Sequence, residues 1–293
     1  MSRRNHPKKT TPVIHLSLRP SYSWPQDGGM NVHTRTIIRP TARELHWFAH
    51  INRHGPQSSE FLYELTKDTH RCKDTALRRL QALREANYLR LPPQQRQISK
   101  AEFNPYVYDL TRAATEALVD AGLAHDDVRP TGHWWHGFWV SATTSAIELH
   151  ARTLGKEYIP ARRILDLAGA EFAIPTNAGK LIPDQLFAIR SADGYRVYLL
   201  EVDRATEPVR SSQARKSLQR SHAQYAEILR SGRARSHFGL SAPVFALWVF
   251  NSKRRCAQFA DMVAEGERAF RHGFLLRCVG QDFPRLSNLR SLL

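Results

Sequence analysis

Cysteine is scarce in this sequence, and its cysteines are not arranged for a shared role. Cys72, Cys256 and Cys278 lie far apart, and no CxxC pair is present. This count suits a reducing compartment, so we expect a cytoplasmic protein, and it argues against a structural zinc site.

Long apolar runs and nucleotide-binding loops are also absent. No stretch of about 18 apolar residues occurs, which excludes a transmembrane helix. The basic N-terminus lacks the apolar core of a signal peptide. Neither GxxxxGK[ST] nor GxGxxG is present, so we do not expect an ATP-driven motor within this chain.

Acidic residues are few relative to basic ones. The 293 residues include 27 Asp and Glu against 43 Lys and Arg, which gives a net charge of +16 and a pI near 10.3. Such an excess indicates a polyanionic partner, with nucleic acid ahead of an anionic membrane, and we expect DNA and no membrane partner. The length allows two domains.

Residues 1–38 are rich in Pro, Ser, Arg and Lys and show no sustained period. We interpret them as a flexible basic arm that adds phosphate contacts. The alternative is a tail that only increases solubility.

Residues 39–123 have the pattern of three helices followed by two strands. Thr41 and Glu44 form a capping box before a helix that stops at His54-Gly55-Pro56. A short helix begins at Ser58 or Ser59, and a longer one spans about residues 71–86. Apolar runs at 88–91 and 105–110 then flank a polar loop. This order predicts a winged helix-turn-helix whose third helix enters the major groove of DNA.

The third helix and the wing supply basic and polar residues on one side. Their candidate DNA-binding residues are Arg71, Lys73, Thr75, Arg78, Arg79 and, in the loop between the strands, Arg96. The string from Leu77 to Leu118 resembles winged-helix domains, especially at its ending Y-x-L-T-x-x-A. The alternative is a winged helix used only for protein contacts.

Residues 124–140 are predicted to be a linker followed by a packing helix. The motif HWWHGFW carries His133 and His136, which are three residues apart and could bind a metal on a helix. The surrounding aromatic residues favour a helix that packs against the rest of the protein.

Residues 141–293 alternate helices and strands and predict an α/β domain. We expect helices at 145–154, 161–168, 211–229 and 255–271, and strands at 171–174, 243–250 and 274–279. Between them, runs at 181–190 and 195–202 flank Asp193-Gly194 and predict a β-hairpin.

Acidic residues stand at the open end of this predicted hairpin. Asp184 opens the first strand, while Glu201 and Asp203 close the second with the period-2 spacing of one strand face. An antiparallel hairpin should make Asp184 and Glu201 neighbours. Clustered carboxylates favour Mg²⁺ or Mn²⁺. The alternative is a salt-bridge network with nearby arginines such as Arg190 and Arg204.

The order of these elements resembles the PD-(D/E)xK nuclease superfamily. The resemblance implies a mixed central sheet flanked by helices and Mg²⁺-dependent phosphodiester hydrolysis. It also implies Asp184 and Glu201 as metal ligands, with Glu148 on the preceding helix as a third. The family's lysine should stand two residues after Glu201, where this chain has Asp203. Lys216, on the following helix, is expected to stabilise the transition state in its place.

The string LLEVDRATE, which follows the predicted winged helix, also resembles the replication-relaxation family of bacterial plasmids and mobile elements. That resemblance implies a role in replication, transfer or regulation, within a complex of proteins. We therefore expect a metal-dependent DNA endonuclease, with Asp203 as an outer ligand or base. Two alternatives remain: a non-catalytic DNA-binding regulator with a degenerate nuclease fold, and a subunit that grips DNA inside a larger complex. A homodimer is compatible with all three, but no heptad seam demands it.

Overall fold

The computed structural model describes residues 38–96, 105–209, 217–266, 271–280, 283–290 and 292–293. From residue 37 onward the chain forms one compact unit. The predicted arm lies outside the described residues except for its last position. The side chain of Arg96 and the whole of Lys216 lie outside them as well.

The first part of this unit is built from short helices and a small sheet. Its elements are α1 (Ala42–His54), β1 (Gln57–Ser58), α2 (Ser59–Thr66), a 3₁₀ turn (Lys67–Thr69), α3 (Lys73–Glu85), β2 (Leu89–Arg90), α4 (Pro93–Arg96), β3 (Val107–Leu110) and α5 (Arg112–Asp120). The sheet has the order β1-β3-β2, and both pairings are antiparallel.

The start of α1 follows from its sequence. The backbone N–H of Thr41 donates to Glu44 Oε2 over 2.7 Å, which forms the predicted capping box. The helix stops at Gly55, whose φ of +99° is a conformation that glycine adopts readily. The three predicted helices and the two strands that flank the polar loop are all present.

A single long helix, α6 (Trp134–Thr153), joins this part to the large sheet. It runs without interruption across residues 140 and 141, where we placed a domain boundary, and it begins well before the helix predicted at 145–154. The HWWHGFW motif is therefore its first two turns. The stretch holds no proline, and Gly137 alone is not enough to end a helix that is packed on several sides.

The second part surrounds a five-stranded sheet. Its elements are β4 (Glu157–Pro160), α7 (Ala161–Ala168), β5 (Ile174–Thr176), β6 (Gly179–Leu181), β7 (Gln185–Ser191), β8 (Gly194–Asp203), α8 (Leu218–Arg230), α9 (Arg233–His237), β9 (Val244–Phe250), α10 (Lys253–Glu265), β10 (Phe274–Cys278) and α11 (Leu286–Leu289). The large sheet has the order β10-β9-β8-β7-β4. Strands β4, β7 and β8 pair antiparallel, whereas β8, β9 and β10 pair parallel.

The mixed sheet flanked by helices confirms the predicted fold class, but two strands differ from the prediction. The strand expected at 171–174 is present only at its last residue, where β5 begins and pairs with β6 in a separate ribbon. Strand β4, at the sheet edge, was not predicted. Its sequence EYIP ends in proline, which has no backbone N–H. An edge strand tolerates proline because one of its two sides is not paired with another strand.

The two faces of the large sheet pack against different sets of helices. Tyr198, Leu200 and Val202 pack in one hydrophobic cluster with α6 and with the buried residues of α1, α2 and α3. Val197 and Leu199 point to the other face, into a cluster with α8 and α10. The helical part and the sheet therefore share one continuous core, with α6 between them.

Candidate functional site at the end of the hairpin

Asp184 and Glu201 both lie at the open end of the β7–β8 hairpin. The antiparallel pairing of the two strands ends at Gln185 and Leu200, so Asp184 stands one residue before this pair and Glu201 one residue after it. The Asp184 N–H donates to Leu200 O over 3.0 Å, and the Val202 N–H donates to Asp184 Oδ2 over 2.7 Å. The two acids therefore lie at the same end of the hairpin.

A buried tyrosine from α8 contacts Glu201. The hydroxyl of Tyr225 donates to Glu201 Oε1 over 2.8 Å, and the tyrosine is fully buried. Burial, together with the negative charges of Glu201 and Asp184, raises the pKa of Tyr225 well above its usual range. Tyr225 therefore stays protonated and remains a hydrogen-bond donor to Glu201 at any physiological pH.

A histidine from the first turn of α6 contacts Asp184. The Nε2 atom of His136 lies 2.9 Å from Asp184 Oδ1. Trp134 stacks on Phe138 with ring centroids 5.3 Å apart, so the aromatic residues of this motif pack, as the sequence favoured. His136 instead faces the carboxylate. The site thus joins the N-terminal end of α6 to the end of the hairpin.

Asp203, at the position expected for the superfamily's lysine, is held by a buried arginine from α10. Arg255 Nε donates to Asp203 Oδ1 over 2.8 Å, and its Nη2 donates to Asp203 Oδ2. The Ala205 N–H also donates to Oδ1, over 2.8 Å, and Arg255 Nη1 donates to Glu207 O. Both side chains are over nine-tenths buried. Asp203 is therefore the partner of a buried cation, and its arginine is not among those that the sequence placed nearby.

A small cleft opens beside these residues. It is lined by ten residues in all: His136, Glu201, Val202, Asp203, Arg204, Thr206, Glu207, Leu218, Ser221 and Trp248. Its volume of about 30 Å³ is close to that of one water molecule. The cleft therefore offers room for an ion or for water beside Glu201.

Glu148 lies elsewhere. It stands twelve residues after His136 on α6, which corresponds to about 18 Å along the helix axis at 1.5 Å per residue. Its carboxylate accepts from Arg53 at 2.8 and 2.9 Å and lies 2.6 Å from His54 Nε2. The structure therefore does not bring Glu148 to Asp184 and Glu201, and Lys216 lies outside the described residues.

The predicted DNA-binding residues divide into exposed and tethered groups. Arg71, Lys73 and Arg78 are exposed around the start of α3 and along its outer face. Thr75 is half-buried, and its hydroxyl lies 3.3 Å from the Cys72 sulfur.

Arg79 is held in a local network instead. Its Nε lies 3.2 Å from Glu44 Oε1, and its Nη2 donates to Arg39 O over 3.2 Å. Burial opposes ionisation of Glu44, but hydrogen bonds from Thr41 and Arg79 outweigh it and lower the pKa of Glu44 to about 2. Arg79 therefore stabilises α1 against α3.

Two residues of this site were not predicted from the sequence, and the role of a third was not. Arg255 follows Asp203 by 52 positions, and Tyr225 lies on α8. His136 was considered as a metal ligand together with His133, but its contact with Asp184 was not foreseen. Tyr225 could have been indicated by the helical pattern, in which it places one polar group on an otherwise apolar face. No local signal relates Arg255 to Asp203, because their contact depends on how α10 packs on the sheet.

Comparison with known proteins gives one match. The model of the replication-relaxation family matches residues 48–244, which is more than half of the chain. No curated protein and no solved structure matches the chain. Among the described residues, none of the helices has the length and apolar character needed to cross a membrane. The matched span includes α3, α6, the β7–β8 hairpin and α8, so the chain belongs to the replication-relaxation family.

Proposed function

We propose that the chain is a DNA-binding protein that serves replication of a plasmid or another mobile element, and that it binds duplex DNA through α3. One observation carries this proposal: three basic side chains are exposed at the third helix, Lys73 and Arg78 on α3 and Arg71 two residues before it. That helix follows two others and precedes two paired strands, which is the order of a winged helix-turn-helix. The net charge of +16 supports a polyanionic partner.

The roles of the basic residues differ on this proposal. Exposed Arg71, Lys73 and Arg78 neutralise phosphates, so each contributes to the salt dependence of binding. Arg79 is committed to Glu44 and fixes the angle of α3. Asp74 is also exposed on α3, four residues before Arg78 and therefore on the same face of the helix, where its charge lowers the local positive potential.

Binding to a labelled duplex at several salt concentrations tests this proposal. The combined variant Arg71→Gln, Lys73→Gln and Arg78→Gln should weaken binding. It should also lower the slope of log K against log salt by about 2–3, because about 0.9 of an ion is released per phosphate contact. The matched control is Arg112→Gln, on exposed α5, whose guanidinium pairs with Glu116. An unchanged slope in the combined variant would contradict the role of α3.

A second candidate function is Mg²⁺-dependent phosphodiester cleavage at the hairpin end. It is favoured by Asp184 and Glu201 lying at the same end of a hairpin whose second strand leads through α8 to a parallel strand. This order agrees with the PD-(D/E)xK resemblance. Mg²⁺ is commonly held by one or two carboxylates and several waters, so these residues suffice to hold it without Glu148. When bound there, Mg²⁺ would activate a water molecule and offset phosphate charge.

The protein groups around Asp184 and Glu201 orient these two carboxylates. Tyr225 orients Glu201 by donating to Oε1, and His136 with the Val202 N–H orients Asp184. Each carboxylate oxygen has two lone pairs, so an oxygen that accepts a hydrogen bond can also bind a cation. Lys216 stays our expectation for a transition-state cation.

The non-catalytic alternative is favoured by Asp203. The superfamily's pattern has a lysine at this position, whereas the carboxylate here is neutralised by Arg255 in a buried pair. On this alternative the hairpin end is a structural remnant, and the protein acts only by binding DNA.

A test for nicking of supercoiled plasmid in the presence of Mg²⁺ or Mn²⁺ distinguishes the cleavage function from the non-catalytic alternative. If cleavage occurs, Asp184→Asn and Glu201→Gln should abolish it while duplex binding is retained. The matched control is Asp193→Asn, at the turn at the other end of the same hairpin. Binding without cleavage in either metal would leave DNA binding as the function and support the non-catalytic alternative.

A further inference from the structure

Two histidines and one glutamate converge in a second cluster, between α1 and α6. His50 and His54 are four residues apart on α1 and therefore share one face of the helix, and Glu148 faces them from α6. One atom from each, His50 Nδ1, His54 Nε2 and a Glu148 oxygen, lie within 4.8 Å of one another. All three residues are more than nine-tenths buried.

The histidine nitrogens that do not face the centre of the cluster are held by hydroxyl groups of α6. His50 Nε2 lies 2.7 Å from Ser145 Oγ, and His54 Nδ1 lies 2.8 Å from Thr144 Oγ1. Thr144 is placed to donate to Val140 O over 3.1 Å, so its oxygen is available to accept from His54. Metal-binding histidines are usually fixed in this way, because donation from one ring nitrogen leaves the lone pair of the other free for the metal.

One nitrogen of the cluster has no hydrogen-bond partner. Among the described residues, His50 Nδ1 is buried without one, and the atom that it faces, Glu148 Oε2, is 3.8 Å away. A buried nitrogen without a hydrogen-bond partner destabilises the folded state. A cation placed between this nitrogen, His54 and Glu148 would remove that destabilisation.

From this geometry we propose that His50 Nδ1, His54 Nε2 and Glu148 Oε2 form a Zn²⁺ site that joins α1 to α6. Two imidazoles and one carboxylate are the ligand set of zinc sites that have three protein ligands and a water molecule in the fourth position. The scarcity of cysteine argued against structural zinc, but this site needs no thiolate. Its two nitrogen donors distinguish it from the hairpin carboxylates, whose oxygen-only donors favour Mg²⁺.

Metal binding requires small movements. Ligand atoms in a tetrahedral zinc site are about 3.3 Å apart, given bonds of about 2.0–2.1 Å. His54 Nε2 and Glu148 Oε2 are 2.6 Å apart and must separate by a few tenths of an ångström, whereas His50 Nδ1 must approach from 3.8 Å. Arg53 donates to both oxygens of Glu148 and keeps only Oε1 when the metal takes Oε2.

The full-length protein tests the proposal after chelator treatment and return of Zn²⁺. Zinc should bind at one equivalent per chain and raise the unfolding midpoint by roughly 5–10 °C at a free concentration near 100 times Kd. Co²⁺ in its place should give the visible absorption of a tetrahedral site. That spectrum is measured on the wild-type chain and depends on no variant.

Variants assign the site. His50→Gln and His54→Gln should lose the zinc-dependent shift, whereas His150→Gln, on α6 two residues beyond Glu148, should keep it. Glu201→Gln should also keep it, because the hairpin end is a separate site. Absence of stoichiometric zinc in the wild-type protein would overturn the proposal. So would a shift that survives His50→Gln, or one that Glu201→Gln abolishes.

Discussion

The buried pair of Asp203 and Arg255 yields a prediction that tests how the hairpin end is built. Asp203→Ala removes the only carboxylate that the described residues place on this guanidinium, and it leaves the Ala205 N–H without its acceptor. Two charge-assisted hydrogen bonds are lost, and a cation remains buried without compensation. We expect a loss of about 3–5 kcal/mol in the free energy of unfolding.

The reverse substitution and the double variant complete the test. Asp203→Leu alone and Arg255→Met alone should each cost a similar amount, because each leaves one charged group buried without its partner. Asp203→Leu combined with Arg255→Met replaces the pair by apolar side chains of similar size and should cost much less than the sum of the single variants. The coupling between the two positions should therefore exceed about 2 kcal/mol.

Urea unfolding at constant ionic strength measures these differences. The matched control is Asp166→Ala on α7, which removes an ion pair to Arg162 in which both side chains are about half exposed. That control should cost less than about 1 kcal/mol. A loss of that size at Asp203, or single-variant losses that simply add in the double variant, would refute the description of Asp203 as the partner of a buried cation.

Three further predictions concern other contacts. Glu44→Gln should cost about 2–3 kcal/mol at pH 7. Because the pKa of Glu44 is lowered to about 2, this stability is present above pH 4.5 and is lost as the pH falls toward 2. The free energies of unfolding of variant and wild type, measured over a range of pH, should therefore differ least at the acid end. Tyr225→Phe should cost about 1–3 kcal/mol, measured in urea, because Glu201 loses a buried donor. Gly55→Ala should lower the thermal midpoint by several degrees, because its Cβ would lie 2.6 Å from Ser141 Oγ at a φ of +99°; an unchanged midpoint would contradict it.

The hairpin site illustrates which contacts a sequence can predict. The turn at Asp193-Gly194 fixes the register of β7 and β8, and this register places Asp184 and Glu201 at the same end of the hairpin. These residues are close in sequence, and their pairing depends on a period of two. Local rules therefore predicted the strands, their relative position and the placement of two acids at the same end.

The same rules failed where contacts join distant elements. The periodicity of α6 indicates that Glu148 lies on a buried face, but it does not specify which neighbour that face meets. Glu148 meets α1, through His54 and Arg53, because α6 packs against the helical part along its C-terminal half. The domain boundary at residue 140 was placed by composition, and composition does not reveal that a helix continues through it.

The length of α6 has a consequence for the proposed binding of duplex DNA. Its 20 residues span about 30 Å, and they hold α1 at one end and Asp184 at the other. The distance between α3 and the hairpin end is thus set by the rigid helix α6 and not by the exposed stretch from Ala121 to Asp126. If α3 binds duplex DNA as proposed, α6 would keep a constant distance in base pairs between the segment that α3 contacts and the segment nearest the hairpin end. Lengthening the exposed stretch should leave that distance unchanged.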